Sequence, residues 1–198
     1  MERSAIEMLL EYPRGKGIPF ETHENENTLH LSPSDPYRKS RYVYFREGTI
    51  TFLAYDSYAL KVGSTNTFTG IYTEFTPDKT AEFSIYKKDW IHLFLLNNKR
   101  KAGDKQIDNH LTIVSKKNLP FYQWINSEIV NQFLDLAEKV TPIKILTRTD
   151  YLPIIPDLRG KNVIGIETNQ WLYKKEDLTQ LIERGSKILA AVNKSITY

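Results

Sequence analysis

Short runs of aromatic and β-branched residues, separated by turn residues, fill the segment from residue 41 to residue 87. Residues of these types favour strands. "RYVYF" alternates in polarity, "EGT" supplies a turn and "ITFLAY" continues as an apolar run, which together predict a hairpin. "ALKV", "FTGIYTEF" and "AEFSIYK" follow, separated by the polar stretches "GSTNT" and "TPDKT". Because short connections usually join neighbouring strands, we expect about five strands here in an antiparallel meander.

Two later segments carry the apolar periodicity of helices. Residues 127–140 place apolar side chains at helical spacing, at Ile129, Phe133, Leu136 and Val140. Asn126 or Ser127 can cap this helix at its N-terminus. Residues 175–192 keep the same periodicity, and Gly185 falls on their apolar side. A glycine at that position indicates close packing of the helix on a sheet, because it weakens the helix by about 1 kcal/mol.

The remaining strand-like segments complete a fold of the α+β class. They are residues 110–115, 143–150 and 162–168. With residues 41–87 they predict a mainly antiparallel sheet, with the helices near 127–140 and 175–192 packed on it. No linker separates a β-rich region, residues 28–87, from a mixed region, residues 88–198, so we expect one domain over residues 1–198.

The first part of the chain gives weaker signals. Residues 4–12 predict a short helix with Ser4 as its N-cap, ended by Pro13 and Gly15. "THENENT" at residues 22–28 is polar throughout and reads as a loop. "KDWIHLFLLN", at residues 88–97, is too short for its periodicity to distinguish a helix from a strand.

Several chemistries have no support in the sequence. The chain has no cysteine, which excludes thiol catalysis, cysteine-ligated metals and disulfides. It contains no nucleophile elbow, phosphate-binding loop or dinucleotide fingerprint. We therefore predict a protein without catalytic residues, metal or cofactor. Charged residues interrupt the first twenty positions and no apolar run is long enough to span a bilayer, so we expect a soluble cytoplasmic protein without membrane insertion.

Positive charge is concentrated in one stretch, residues 97–117. Six cations and two carboxylates give it a local net charge of +4, whereas the whole chain carries +3. Exposed cations of this kind can bind an anionic partner, or can protect a strand edge from pairing with another chain.

The same stretch contains Asp104, Asp108 and His110, which are side chains of metal-ligating type. No signature spacing for a metal site is present. A structural interpretation is simpler: Gly103 takes a positive φ, and Asp104 accepts hydrogen bonds from backbone amides two residues on. Asp108 would then lie at the entrance of the strand at 110–115.

These observations favour an accessory module, of an immunity or regulatory type, that binds another macromolecule and most simply another protein. The predicted partner-binding residues are Lys99, Arg100, Lys101, Lys105 and Trp90. The alternatives are a nucleic-acid-binding protein, in which Tyr86 and Trp90 stack on bases, and a metal-dependent hydrolase that uses the loop at residues 99–110.

Residues 81–150 carry a family resemblance. "FSIYKKDW", "KAGDKQIDNHLTIVS", "INSEIVNQFLDLA" and "IKILTRTDYL" follow one another in an order that resembles uncharacterised bacterial domains of unknown function. The matching positions are Gly103, Asp104, Asp108, Leu111, Ile113 and Ser115. The resemblance covers about a third of the chain. It implies an α+β domain of bacterial type, and it transfers no catalytic residue.

Overall fold

One antiparallel sheet organises the computed structural model of the chain, which describes residues 4–27, 38–59, 64–75, 82–89, 96–149 and 158–196. Within these ranges the strands are β1 (Phe20–Asn27), β2 (Arg38–Glu47), β3 (Ile50–Ala59), β4 (Ser64–Glu74), β5 (Phe83–Lys87), β6 (Lys99–Arg100), β7 (Leu111–Ser115), β8 (Lys144–Thr149) and β9 (Asn162–Thr168). Their spatial order is β1-β2-β3-β4-β9-β8-β5-β7-β6, and every neighbouring pair is antiparallel.

Helices cover one face of this sheet. They are α1 (Ala5–Lys16), α2 (Lys105–His110), α3 (Phe121–Trp124), α4 (Ser127–Lys139) and α5 (Lys175–Ile196). Helix α5 packs on β4 and β9 and also contacts α1, α3 and α4. A Cβ added at Gly185 would lie 2.5 Å from Cδ1 of Ile71, so the close packing predicted for this glycine is confirmed. The predicted α+β class, with helices packed on an antiparallel sheet, is also confirmed.

The meander prediction is correct only for the first part of the sheet. Strands β1 to β4 follow one another, and Gly48 makes the turn between β2 and β3 with a φ of 62°. Strand β4 then pairs with β9, while β5 pairs with β7 and β8. Of the five strands expected in residues 41–87, four lie wholly or mainly there in the described part. The other, "ALKV" at residues 59–62, lies outside the described part except for Ala59, the last residue of β3.

Strand β1 corrects the loop prediction for "THENENT". It pairs along its whole length with β2, from Phe20 opposite Phe45 to Asn27 opposite Arg38. Residues 21–24 are exposed. A strand at the edge of a sheet can be polar on both faces and still form a full ladder of backbone hydrogen bonds, so its sequence lacks the alternation by which strands are recognised.

Helix α1 begins as predicted and ends later. Ser4 and Glu7 form a capping box, but Pro13 lies inside the helix, which ends at Gly17 with a φ of 66°. Tyr12 and Pro13 are buried at the start of this last turn, which holds it in place. Helix α4 has Asn126 as its N-cap, as predicted. None of the helices in the described ranges combines the length and hydropathy needed to cross a membrane.

The face of the sheet opposite the helices carries a smaller core. Leu53, Phe68, Tyr72, Leu158 and Val163 are buried in it. Half-buried tyrosines from β2 and β3 pack against this core, at Tyr42, Tyr44 and Tyr55. Because β3 places apolar residues on both of its sides, "ITFLAY" reads as a continuous apolar run rather than as an alternating one. We call this side of the sheet the second face.

A polar cluster joins α1 to β2. The Tyr12 hydroxyl donates to Glu47 at 3.2 Å, and Lys16 Nζ donates to the Tyr12 oxygen at 2.8 Å and to Glu47 at 2.9 Å. Burial, more than any other cause, raises the pKa of Tyr12 above its ordinary 10.0. The pKa of Lys16 is also raised, chiefly by its hydrogen bond to Tyr12 and then by that to Glu47. Both groups therefore stay protonated more readily in the folded protein than in the unfolded chain.

We expect this cluster to make stability depend on pH in the alkaline range. Its contribution is complete below about pH 10 and is lost as the pH rises through the two raised pKa values, because the unfolded chain then releases protons first. Tyr12→Phe keeps the ring that stacks on Phe45 and should show a smaller alkaline loss than the wild type. Urea denaturation at a series of pH values from 8 upward measures the free energy of unfolding of both proteins. The same decrease with pH in the two proteins would contradict the prediction.

Candidate functional site

The predicted basic residues lie at one edge of the sheet. Strand β6 pairs with β7, with Lys99 opposite Val114 and Arg100 opposite Ile113. We define the basic edge as five exposed residues, Lys99, Arg100, Lys101, Lys105 and Lys116. Trp90, the fifth predicted partner-binding residue, lies outside the described part of the chain.

The loop that precedes β7 is a capped helix. Gly103 has a φ of 89°, and Asp104 is the N-cap of α2: its Oδ1 accepts from the amides of Gln106 at 2.7 Å and Ile107 at 3.1 Å. Asp108 lies inside α2, not at the strand entrance as predicted, and its Oδ1 accepts from the amide of Ala102 at 2.6 Å. Both carboxylates therefore fix the backbone that carries the basic edge.

These contacts bear on the metal hypothesis. Asp104 and Asp108 each accept backbone amides through Oδ1. Within the described ranges, no three side chains of His, Asp or Glu are grouped so as to hold a metal ion. Asp104 caps α2, and Asp108 holds the amide of Ala102 just before it, so backbone hydrogen bonds account for both carboxylates.

The basic residues differ in what they contact. Arg100 donates from Nε to the carbonyl of Ser115 and from a terminal nitrogen to that of Lys116, both at 3.1 Å, so its guanidinium fixes the end of β7. Lys101, Lys105 and Lys116 have no carboxylate within ion-pair distance among the described residues. Their charges are therefore available to a partner.

A groove of about 430 Å³ opens beside the basic edge. Strands β5, β7 and β8 form much of it, with Ser84, Tyr86, Val114 and Leu146 in its lining. Leu146 lies opposite Gly165, which in turn lies opposite Tyr72, so Leu146 belongs to the second face. Ser84 lies opposite both Leu146 and Val114, and Tyr86 is two residues from Ser84 on the same strand, so all four residues share this face. The lining also contains Asn98, Lys116, Lys144 and Glu82. The groove thus shares Lys116 with the basic edge.

A buried ion pair lies at Lys144. Its Nζ is 2.8 Å from Oε1 of Glu167, whose side chain is 2% exposed, and the Tyr72 hydroxyl donates to the other carboxylate oxygen at 2.9 Å. Lys144 and Glu167 are direct neighbours on β8 and β9. Glu167 lies opposite Gly70 on β4, and Tyr72 is two residues further along that strand. The Tyr72 side chain must therefore lie flat against the sheet, over Gly70 and Gly165, for its hydroxyl to reach this carboxylate.

Two glycines make that ring position possible. A Cβ at Gly70 would lie 2.5 Å from Oη of Tyr72, and one at Gly165 would lie 2.3 Å from its Cδ1. Real Cβ atoms essentially never come within 3.0 Å of another heavy atom. The glycines are thus required by the phenol that fixes the buried glutamate.

Sequence analysis did not identify this triad of Tyr72, Glu167 and Lys144. The available signals were a glycine inside each of two apolar strands and an acidic residue in "VIGIET". Tyr86, which was considered as a stacking residue, does line the groove. Trp124, which precedes α4, packs on Phe83 and Phe121, in agreement with the core role that aromatics at a helix start commonly have.

Comparison with known proteins adds no assignment. No family model, no curated protein and no solved structure matches the chain.

Proposed function

We propose that this is a soluble bacterial accessory protein of the cytoplasm, without catalytic activity, that uses its basic edge to bind an acidic segment of another protein. The observation that supports this most is the set of three lysines, Lys101, Lys105 and Lys116, that lack a carboxylate partner in the described ranges. Charges left unneutralised at one edge attract an oppositely charged partner and favour rapid association.

The scaffold under these lysines supports the same proposal. Arg100 and the two aspartates of α2 are committed to backbone groups, so the edge has a fixed shape before binding. A preorganised surface loses less conformational entropy on association than a flexible one. A two-residue edge strand also offers little backbone for pairing, so side-chain charge is the main feature a partner can recognise.

Charge reversal at the basic edge tests the proposal. We expect Lys101→Glu/Lys105→Glu/Lys116→Glu to bind a short, fluorescein-labelled peptide rich in aspartate and glutamate at least about tenfold more weakly than the wild type, because attraction becomes repulsion. Fluorescence anisotropy at several salt concentrations measures this, and wild-type binding should weaken as salt rises.

A matched control carries the same charge change elsewhere. Lys139, Lys174 and Lys187 are exposed and lie in or beside α4 and α5. Their triple reversal to glutamate should leave peptide binding within about twofold of the wild type. Equal losses in both variants, or tighter wild-type binding to a single-stranded oligonucleotide than to the peptide, would overturn the proposal.

A further inference from the structure

We infer that the groove on the second face receives an acidic side chain of the bound segment, and that Lys144 binds its carboxylate. This inference rests on the proposed function and adds to it the point of recognition. The groove and the basic edge are continuous, since Lys116 belongs to both and Val114, in the groove, lies opposite Lys99. A segment held at the basic edge is therefore next to the groove.

Lys144 has a hydrogen-bond donor to spare. An ammonium group has three N–H donors. One is directed to Glu167 at 2.8 Å and a second to Oδ1 of Asn169 at a long 3.5 Å. Among the described residues the third has no acceptor, while Lys144 itself lines the groove. A carboxylate in the groove would supply that acceptor.

The triad keeps Lys144 in place for this contact. Its side chain is 17% exposed and is held by Glu167, which the Tyr72 hydroxyl fixes in turn. An immobilised lysine loses less rotamer entropy on binding than a surface lysine does. Partial burial also strengthens a charge-assisted hydrogen bond, because the local dielectric is lower than that of water.

The charges around the groove favour a carboxylate over a cation. Lys116 and Lys144 line it together with one exposed glutamate, Glu82. Lys99 lies beside it on β6, opposite the groove residue Val114. Even with Glu167 counted against Lys144, the lysines outnumber the glutamates. The chemistry that matches this balance is an aspartate or glutamate side chain. The volume of about 430 Å³ lies in the range of ligand pockets.

The position of the bound peptide is the first test. The probe is the same acidic peptide, titrated into the ¹⁵N-labelled full chain and followed by NMR. We expect amide shifts at Ser84, Tyr86 and Leu146, which line the groove away from β6, in addition to shifts at the basic edge. Shifts confined to β6 and α2 would overturn this inference and leave the proposed function standing. No binding by the wild type would overturn both.

A paired substitution tests the role of Lys144. Lys144→Gln/Glu167→Gln removes the ammonium and its buried counter-charge together, so the net charge is unchanged and no carboxylate remains buried without a cation. We expect the peptide to bind about tenfold more weakly, as loss of one charge-assisted hydrogen bond implies. Lys161→Gln/Glu74→Gln, at an exposed ion pair, is the control and should bind as the wild type does. Wild-type affinity in the Lys144 variant would contradict the inference, and the NMR mapping stays decisive if that variant does not fold.

Discussion

Replacement of Lys144 by methionine is expected to lower the free energy of unfolding by about 3 kcal/mol. The substitution removes the ammonium group that lies 2.8 Å from the carboxylate of Glu167, whose side chain is 2% exposed. A buried ionised carboxylate that loses a cation is costly, and its hydrogen bond from the Tyr72 hydroxyl offsets only part of that cost. Lys144 retains some exposure, which places the expected loss at the lower end of the range for broken buried pairs. Urea denaturation followed by circular dichroism measures it.

The pair of Lys161 and Glu74 provides the control. Its two atoms are 2.9 Å apart, close to the 2.8 Å between Lys144 and Glu167, but both side chains are about half exposed, at 45% and 51%. Lys161→Met should therefore cost less than about 1 kcal/mol. Adding Glu167→Leu to Lys144→Met should restore much of the lost stability, since an apolar pair needs no counter-charge. If Lys144→Met and Lys161→Met cost the same, the buried pair does not have the role assigned to it.

Local signals were enough to place the main helices. The spacing of Ile129, Phe133 and Leu136 and the cap at Asn126 depend only on neighbouring residues, and α4 has them as predicted. The β2–β3 hairpin could also be predicted, because Gly48 lies between two strand-like runs. Such features are encoded within a few residues of each other, so periodicity and turn chemistry identify them.

Pairing between distant strands was beyond this kind of reasoning. Strand β4 pairs with β9, which lies about ninety residues later in the chain, and not with β5, the next strand in sequence. Nothing in "FTGIYTEF" specifies that partner. The polar edge strand β1 was missed for a related reason: its ladder depends on β2 and not on its own side chains.

The candidate site likewise has one part that local sequence predicts and one part that depends on pairing between distant strands. The concentration of positive charge in residues 97–117 could be read from the sequence because its cations are close in the chain, and the structure leaves Lys101, Lys105 and Lys116 exposed. The triad was not predicted, because Tyr72, Lys144 and Glu167 come from three strands that only the sheet register brings together. A charge cluster is thus a sequence feature, whereas a fixed lysine in a groove is a product of the fold.

Gly165→Ala should destabilise the protein by about 3 kcal/mol, at the upper end of the usual range for overpacking. The added methyl would lie 2.3 Å from Cδ1 of Tyr72, 2.7 Å from its Cε1 and 2.9 Å from the backbone oxygen of Ile71. Tyr72 is fully buried against Leu53 and Phe68, so its ring cannot move aside without disturbing the small core. Moving the ring also removes the hydroxyl from Glu167, which adds to the cost.

Gly15→Ala is the matched control for this substitution and should have the opposite sign. Gly15 lies in α1 with nothing within 4 Å of the added methyl, so the change should stabilise the protein by up to about 1 kcal/mol. Thermal and urea unfolding of both variants give the two values. Tyr72→Leu combined with Gly165→Ala should cost less than the sum of the single changes, because the smaller side chain relieves the clash. Additive costs would mean that Gly165 serves the strand backbone and not the ring that positions Glu167.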